Sequence, residues 1–249
     1  FLTKTSSILR ENVMSKIIAI TGSCGKTSLK ELIAKTLKKI SSVTYSRKSF
    51  NNKYGVPLSL FNLNLRDEFG IFEIGMDKEG EIGTLSKIVR PDIGVITNIS
   101  YAHAKNFKNI KQIALAKSEI IKNIKDDGAI VLNADDQFYN LLKKIALKRK
   151  IRIYSFSTKK KKANIKLNSI KKEGKKYKVF INVGNQKMYF YTSSNFENDI
   201  KNLLAALTVI GIFKSVSKLN KNIFYNHKIL EGRGDISKIK INKKNIFLI

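Results

Sequence analysis

Short apolar runs, each followed by a stretch with helical spacing, recur along roughly the first two thirds of the chain. Ile17, Ile18, Ala19 and Ile20 make one run, short and β-branched, as a strand buried on both faces should be. Leu29, Ile33, Leu37 and Ile40 then recur at the spacing of an amphipathic helix. The same reading predicts strands over 43–46, 70–76, 92–99, 128–132 and 151–156. Helices are predicted over 1–10, from Pro57 through Phe61, and over 81–89, 110–124 and 138–147. Pro91 stops the third of these. Strands alternating with helices predict an α/β fold, a doubly wound and mostly parallel sheet covered on both faces.

After residue 156 the period changes. Residues 163–192 alternate in polarity around Gly174 and Gly184-Asn185, which predicts a small antiparallel section appended to the sheet. Residues 198–213 return to helix, with Leu203, Leu204, Leu207 and Ile210 apolar, and a second helix is expected over 217–225. Gly232-Arg233-Gly234-Asp235 reads as a turn and Ile246 to Ile249 as a strand. There is no internal repeat.

The stretch Thr21-Gly22-Ser23-Cys24-Gly25-Lys26-Thr27-Ser28 joins the first predicted strand to its helix. Gly22 and Gly25 let the backbone curl so that its N–H groups face an anion, and the helix N-terminus favours negative charge there. Lys26 can reach the β- and γ-phosphates of a nucleotide, and Thr27 can offer a hydroxyl to Mg²⁺. Ile20 stands where the full Walker pattern has its first Gly, so this is a shorter form of that motif. Glu73 interrupts an apolar strand, where a buried carboxylate needs a partner or a metal. It falls near a strand's carboxyl end, as the glycine loop does, and ligands gather at such ends. Its reading as a Mg²⁺ ligand stands against that of a structural carboxylate. His103 follows the strand ending Thr97-Asn98-Ile99 and shares that location; His227 reads as structural.

Composition changes this picture little. The 249 residues are 43% hydrophobic, enough for a sizeable core in one large domain or one and a half. No apolar run approaches the ~20 residues of a membrane helix, and residues 1–12 lack the apolar region of a signal peptide. Membrane insertion is therefore not expected. The single Cys24 rules out an internal disulfide and fits a reducing compartment, the cytoplasm. The net charge of +29 would suit a nucleic-acid surface. It is almost all Lys, however, spread over many predicted solvent faces, and Lys and Ile are abundant together with Asn, as A+T-rich coding produces. No nucleic-acid partner is expected on that reading. The rival remains a P-loop switch or a nucleic-acid-binding ATPase.

Four segments in this order resemble the central domain of the Mur ligases: Thr21 to Thr27; Glu73-Ile-Gly75; Asn98-Ile-Ser-Tyr-Ala-His103; and Ala116-Lys117-Ser-Glu119-Ile120. Within that family, Asn51-Asn52-Lys-Tyr-Gly55-Val-Pro57-Leu and Glu73 to Ile82 are similar to the member that adds D-alanyl-D-alanine to a UDP-N-acetylmuramoyl tripeptide. The resemblance implies an ATP- and Mg²⁺-dependent amide ligase of peptidoglycan precursor synthesis, acting as a monomer on those two small-molecule substrates. Lys26 and the loop from Thr21 to Ser28 would hold ATP, with Asn202 at adenine and Arg233 at the γ-phosphate. Thr27 and Glu73 would bind one Mg²⁺ and His103 a second, and Lys117 matches the position of a carbamylated lysine. Lys26, Lys117 and His103 are the implied catalytic set, and Asn51 and Asn52 lie in the segment associated with the muramoyl peptide. Asn198-Asp199 and Lys105 depart from the family pattern at the adenine helix and beside the metal His. The implied organisation is a lead-in from an N-terminal domain (1–12), the ATP-binding domain (13–230) and the start of a connection to a C-terminal domain (231–249). Other Mur-type ligases and folylpolyglutamate synthetase are the nearby alternatives.

Overall fold

A computed structural model describes residues 1–102, 104–159, 162–225, 237–241 and 244–248. In chain order the elements are α1 (Leu2–Asn12), β1 (Lys16–Thr21), α2 (Lys26–Leu37), β2 (Val43–Tyr45), α3 (Gly55–Leu60), β3 (Phe69–Glu73) and α4 (Glu81–Val89). They continue with β4 (Ile93–Ile96), α5 (Ile110–Lys122), β5 (Ala129–Asn133), α6 (Tyr139–Lys148) and β6 (Arg152–Ser157). Then follow β7 (Ile165–Glu173), β8 (Lys176–Val183), β9 (Gln186–Thr192), α7 (Glu197–Phe213), β10 (Ser237–Ile241) and β11 (Lys244–Leu248).

Nine strands make one sheet in the order β2-β3-β1-β4-β5-β6-β7-β8-β9. Pairing is parallel from β2 to β7, and β8 and β9 extend it antiparallel. β10 and β11 form a separate antiparallel pair. This bears out the α/β sheet and its appended hairpins. The chain leaves β1 toward β2 and β3 and returns to β4 on the other side. The order therefore reverses at β1, and a crevice opens at the carboxyl ends of β3, β1 and β4.

The apolar run of β1 is continuous because successive side chains enter different cores. Ile18 and Ile20 join Leu29, Ile33 and Leu37 of α2 and Leu203, Leu204 and Leu207 of α7. Ile17 and Ala19 face the other way, with Ile82 and Leu85 of α4, Ile120 of α5 and Leu142 of α6. α1 is tied on by buried Arg10, which donates from Nε to Val89 O (2.8 Å) and from Nη2 to Arg90 O (3.0 Å) and Asp92 Oδ2 (3.4 Å).

The helix expected over 217–225 does not form; a single 3-10 turn, Val216–Lys218, stands at its start. The backbone there is engaged elsewhere. Asn220 Oδ1 accepts from Asn222 N (2.8 Å), Lys221 O accepts from Tyr191 N of β9 (2.8 Å), and Ile223 O accepts from Lys39 Nζ (2.8 Å). Local side-chain and tertiary partners outcompete helix bonds.

Candidate functional site

The glycine loop leaves β1 at buried Thr21, whose Oγ1 has no hydrogen-bond partner among the described residues. Gly22 has φ +146°, and a Cβ there would lie 1.9 Å from Thr97 Oγ1, so only glycine fits. Gly25, at φ +78°, caps α2 without a side-chain bond. The loop is braced from the end of β4. Asn98 O accepts from Ser23 N (3.0 Å), Asn98 Oδ1 from Cys24 N (2.9 Å), and Thr97 Oγ1 donates to Cys24 O (2.6 Å). Ser23 Oγ donates to Ser100 O (3.0 Å) and accepts from Ser100 N (2.9 Å). The braced loop presents the first-turn amides of α2, from Lys26 to Ser28, which have no intrahelical acceptors. Lys26 Nζ folds back to donate to Gly22 O (2.9 Å) and Ser23 O (3.4 Å), so its charge already lies over the loop.

Beside the loop, Glu73 is 1% exposed at the end of β3. Thr27 Oγ1 donates to its Oε2 (2.7 Å) and Asn51 Nδ2 to its Oε1 (2.7 Å). Both donors are neutral side chains, a hydroxyl and an amide. A carboxylate and a hydroxyl at hydrogen-bond distance, next to a phosphate-type loop, form a hard oxygen donor set that suits Mg²⁺, which takes one or two carboxylates plus phosphate oxygens. Among the described residues no three His, Cys, Asp or Glu cluster as a ready-made metal site.

Lys117, on α5, is 2% exposed. Burial, reinforced by the like charge of Lys26 and opposed by Cys24, pulls its ammonium down to about 7. Glu119, two residues on, ties α5 to the start of α4 by accepting from Gly80 N (2.8 Å) and Gly83 N (2.7 Å). Asn202, on α7, stands against the loop: a Cβ on Gly25 would be 3.2 Å from its Oδ1. A cavity of ≈ 650 Å³ opens from Lys26 past Asn51, Asn52, Gly75 and Glu81 to Leu85.

The structure thus brings together Thr21 to Ser28, Glu73, Lys117, Asn51 and Asn202. Asn52 lies on the cavity wall, but its Oδ1 caps α3 by accepting from Tyr54 N (3.1 Å) and Gly55 N (2.9 Å). Asn51 serves Glu73 with its amide. His103, Arg233 and His227 lie outside the described residues.

Residues 20–210 match the model of the Mur ligase middle domain. The chain belongs to the Mur ligase family. It is 34% identical over 243 residues to the UDP-N-acetylmuramoyl-tripeptide--D-alanyl-D-alanine ligase of Rickettsia prowazekii, a match covering 96% of this chain and 53% of that protein. Its fold superposes on the crystal structure of MurF from Acinetobacter baumannii with a TM-score of 0.88 at 25% identity, over 99% of this chain and 53% of that one. A MurF ligase from Thermotoga maritima, solved in complex with ADP, gives a TM-score of 0.83 at 25% identity, over 95% and 54%. The chain therefore spans about half the length of these relatives.

Sequence reasoning missed four side chains that support this Mur ligase loop and carboxylate. Thr97 and Asn98 drew notice only as the lead to His103, although a polar pair closing an apolar strand is itself a signal for a brace. Ser46 Oγ, accepting from Glu73 N (3.3 Å), and Asn51 on the carboxylate gave no local signal, because their partner lies more than twenty residues away.

Proposed function

We propose that this chain is the nucleotide-binding part of a cytoplasmic, ATP-dependent amide ligase that joins D-alanyl-D-alanine to a UDP-N-acetylmuramoyl tripeptide. The buried Thr27–Glu73 pair beside the glycine loop carries the nucleotide half of this reading. The names of its relatives, 34% identical along nearly the whole chain, support the substrate half.

The tripeptide's terminal carboxylate attacks the γ-phosphorus of ATP, ADP departs, and an acyl phosphate forms. The dipeptide's amine adds to the acyl carbon, and the tetrahedral intermediate expels phosphate and a proton. Lys26 and the first-turn amides of α2 bind the phosphates and neutralise charge that grows on the departing ADP oxygen. To do so Lys26 exchanges the carbonyls of Gly22 and Ser23 for phosphate oxygens. The loop holds the γ-phosphate in line with the incoming carboxylate, which supplies the entropic part of the acceleration. Thr27 and Glu73 would hold Mg²⁺, which when bound neutralises phosphate charge as a Lewis acid. Asn202 would meet the adenine, a role that its approach to Gly25 of the loop supports.

Lys117 has the chemistry of a carbamate site. Its buried amine, with a pKa of about 7, is substantially neutral at physiological pH. The neutral nitrogen's lone pair would add to CO₂ and a proton would leave, giving a carbamate anion whose oxygens would serve as donors to a second metal, with His103 as the other ligand that the family resemblance implies. In the whole protein, phosphate release should require ATP, the muramoyl tripeptide and D-Ala-D-Ala together, with the pentapeptide product seen by mass spectrometry. Turnover with a single amino acid in place of the dipeptide would overturn the assignment.

A further inference from the structure

Lys30 is fully buried on α2, three residues beyond Thr27 and so on the same helix face. A buried ammonium is costly unless something holds it. Its Nζ donates to the backbone carbonyl of Lys48 and lies 3.7 Å from Glu31 Oε1. Lys48 sits in a turn closed by Phe50 N donating to Arg47 O (3.1 Å), at φ +44°, a conformation disfavoured for a side chain of this kind. Backbone strain of this sort persists where the surroundings enforce it.

The turn leads directly into the metal-side contacts. Ser49 Oγ is 3.5 Å from Thr27 Oγ1, Asn51 Nδ2 donates to Glu73 Oε1 (2.7 Å), and Asn51 O accepts from Gly75 N (2.7 Å). Helix α2 therefore grips this segment twice, by Thr27 at Ser49 and by Lys30 at Lys48.

We propose that Lys30 is a positioning residue: it clamps the strained Arg47–Phe50 turn and so sets Asn51 and Ser49 over the Glu73–Thr27 pair. The link to catalysis rests on the Mg²⁺·nucleotide reading above, but the clamp does not. Two readouts separate them.

The first is hydrogen exchange of the chain without nucleotide. Lys30→Met removes the ammonium and keeps the bulk. The amides of Phe50 and Gly75 should then exchange about tenfold faster, the order that one hydrogen bond to a charged group is worth, while those of α7 stay protected. Glu31→Gln removes the acidic partner and leaves the clamp, so those two amides should keep their protection. Unchanged exchange in Lys30→Met, or equal loosening by Glu31→Gln, overturns the inference. Lys48→Pro, at an exposed position, cannot adopt the positive φ and moves the same carbonyl away. It carries the test should Lys30→Met not fold: the same two amides should loosen, and full protection sinks the clamp. The second readout is ATP titration with Mg²⁺ and with EDTA. Lys30→Met should lose about tenfold of the Mg²⁺-dependent gain in affinity and keep its Mg²⁺-independent binding. A wild-type chain that binds no ATP would count against the nucleotide reading, with the clamp still decided by exchange.

Discussion

Lysines do opposite work on the antiparallel extension of the large sheet and around the glycine loop near its middle. On the β8–β9 extension they lie over aromatic rings. Lys176 Nζ is 3.8 Å from the Tyr191 centroid and Lys178 Nζ 4.2 Å from that of Tyr189, while Lys178 also pairs with Glu173 at 3.7 Å. Around the glycine loop, Lys30 and Lys117 are buried and Lys26 is half-buried over backbone carbonyls. The first group carries charge that solvent screens. The second sits where charge must be held by a contact or shed by deprotonation. A net charge of +29 therefore says little about chemistry here, and the few enclosed lysines say much.

Substituting one lysine from each region should test that contrast most visibly. In the whole protein, and on the proposed ligase reading, Lys26→Ala is expected to lower ATP-dependent phosphate release by about a hundred- to a thousandfold, as loss of one preorganised charge donor does. Phosphate release measured with both substrates checks it, and a turnover within threefold of wild type would remove Lys26 from the mechanism.

Lys117 sharpens the contrast through pH. Its ammonium is held near 7 in the fold against 10.5 when unfolded, so between those values the unfolded chain binds more protons. Stability then rises with pH across that window, and the cost is fully present below about 7. Lys117→Met should flatten this slope and stabilise the fold near pH 7 by on the order of 4 kcal/mol, read by urea unfolding at both ends of the window. A ¹³C carbamate resonance in bicarbonate-labelled protein should vanish in the same variant. An unchanged slope together with a persistent resonance would place the titration and the carbamate elsewhere.

What the sequence could show follows from the same division. The loop was legible because glycines, Lys26 and Thr27 must be adjacent to do their work. Glu73 was legible because a carboxylate breaks a strand that is otherwise apolar. Lys30 and Lys117 were not, since lysines on amphipathic helices normally face water; only family resemblance drew attention to Lys117. The polar pair Thr97-Asn98 signals a brace, but what it braces, and what holds the turn at Lys48, depends on contacts between segments far apart in sequence, which local patterns do not encode. The parallel sheet and its hairpins were readable from period alone, whereas residues 217–225 were misread as helix because their backbone groups bond to β9 and α2.

Glu73→Gln tests whether the buried charge or only its hydrogen bonds matter. Glutamine keeps an oxygen acceptor for Thr27 and turns its NH₂ toward Asn51, whose amide must flip to accept from it; with that flip the loss of the carboxylate should leave stability unchanged or slightly raised. The Mg²⁺-dependent part of ATP affinity should fall by about tenfold or more, measured by titration with and without EDTA. A variant that is folded but clearly less stable than wild type, with its Mg²⁺ dependence intact, would make Glu73 a structural carboxylate.

The smallest effect belongs to the extension. Lys178→Ala removes a cation from above Tyr189 and an ion pair with Glu173, in a partly exposed setting where each is worth about 0.5–1 kcal/mol at most. Thermal unfolding should drop by no more than a few degrees, and phosphate release should match wild type. Because Lys178 and Lys26 carry the same charge on the same sheet, equal catalytic losses would mean that long-range charge, rather than the enclosed site, drives ATP use. Salt decides between the two: a field effect fades as ionic strength rises, whereas the loss from Lys26→Ala should persist at high salt.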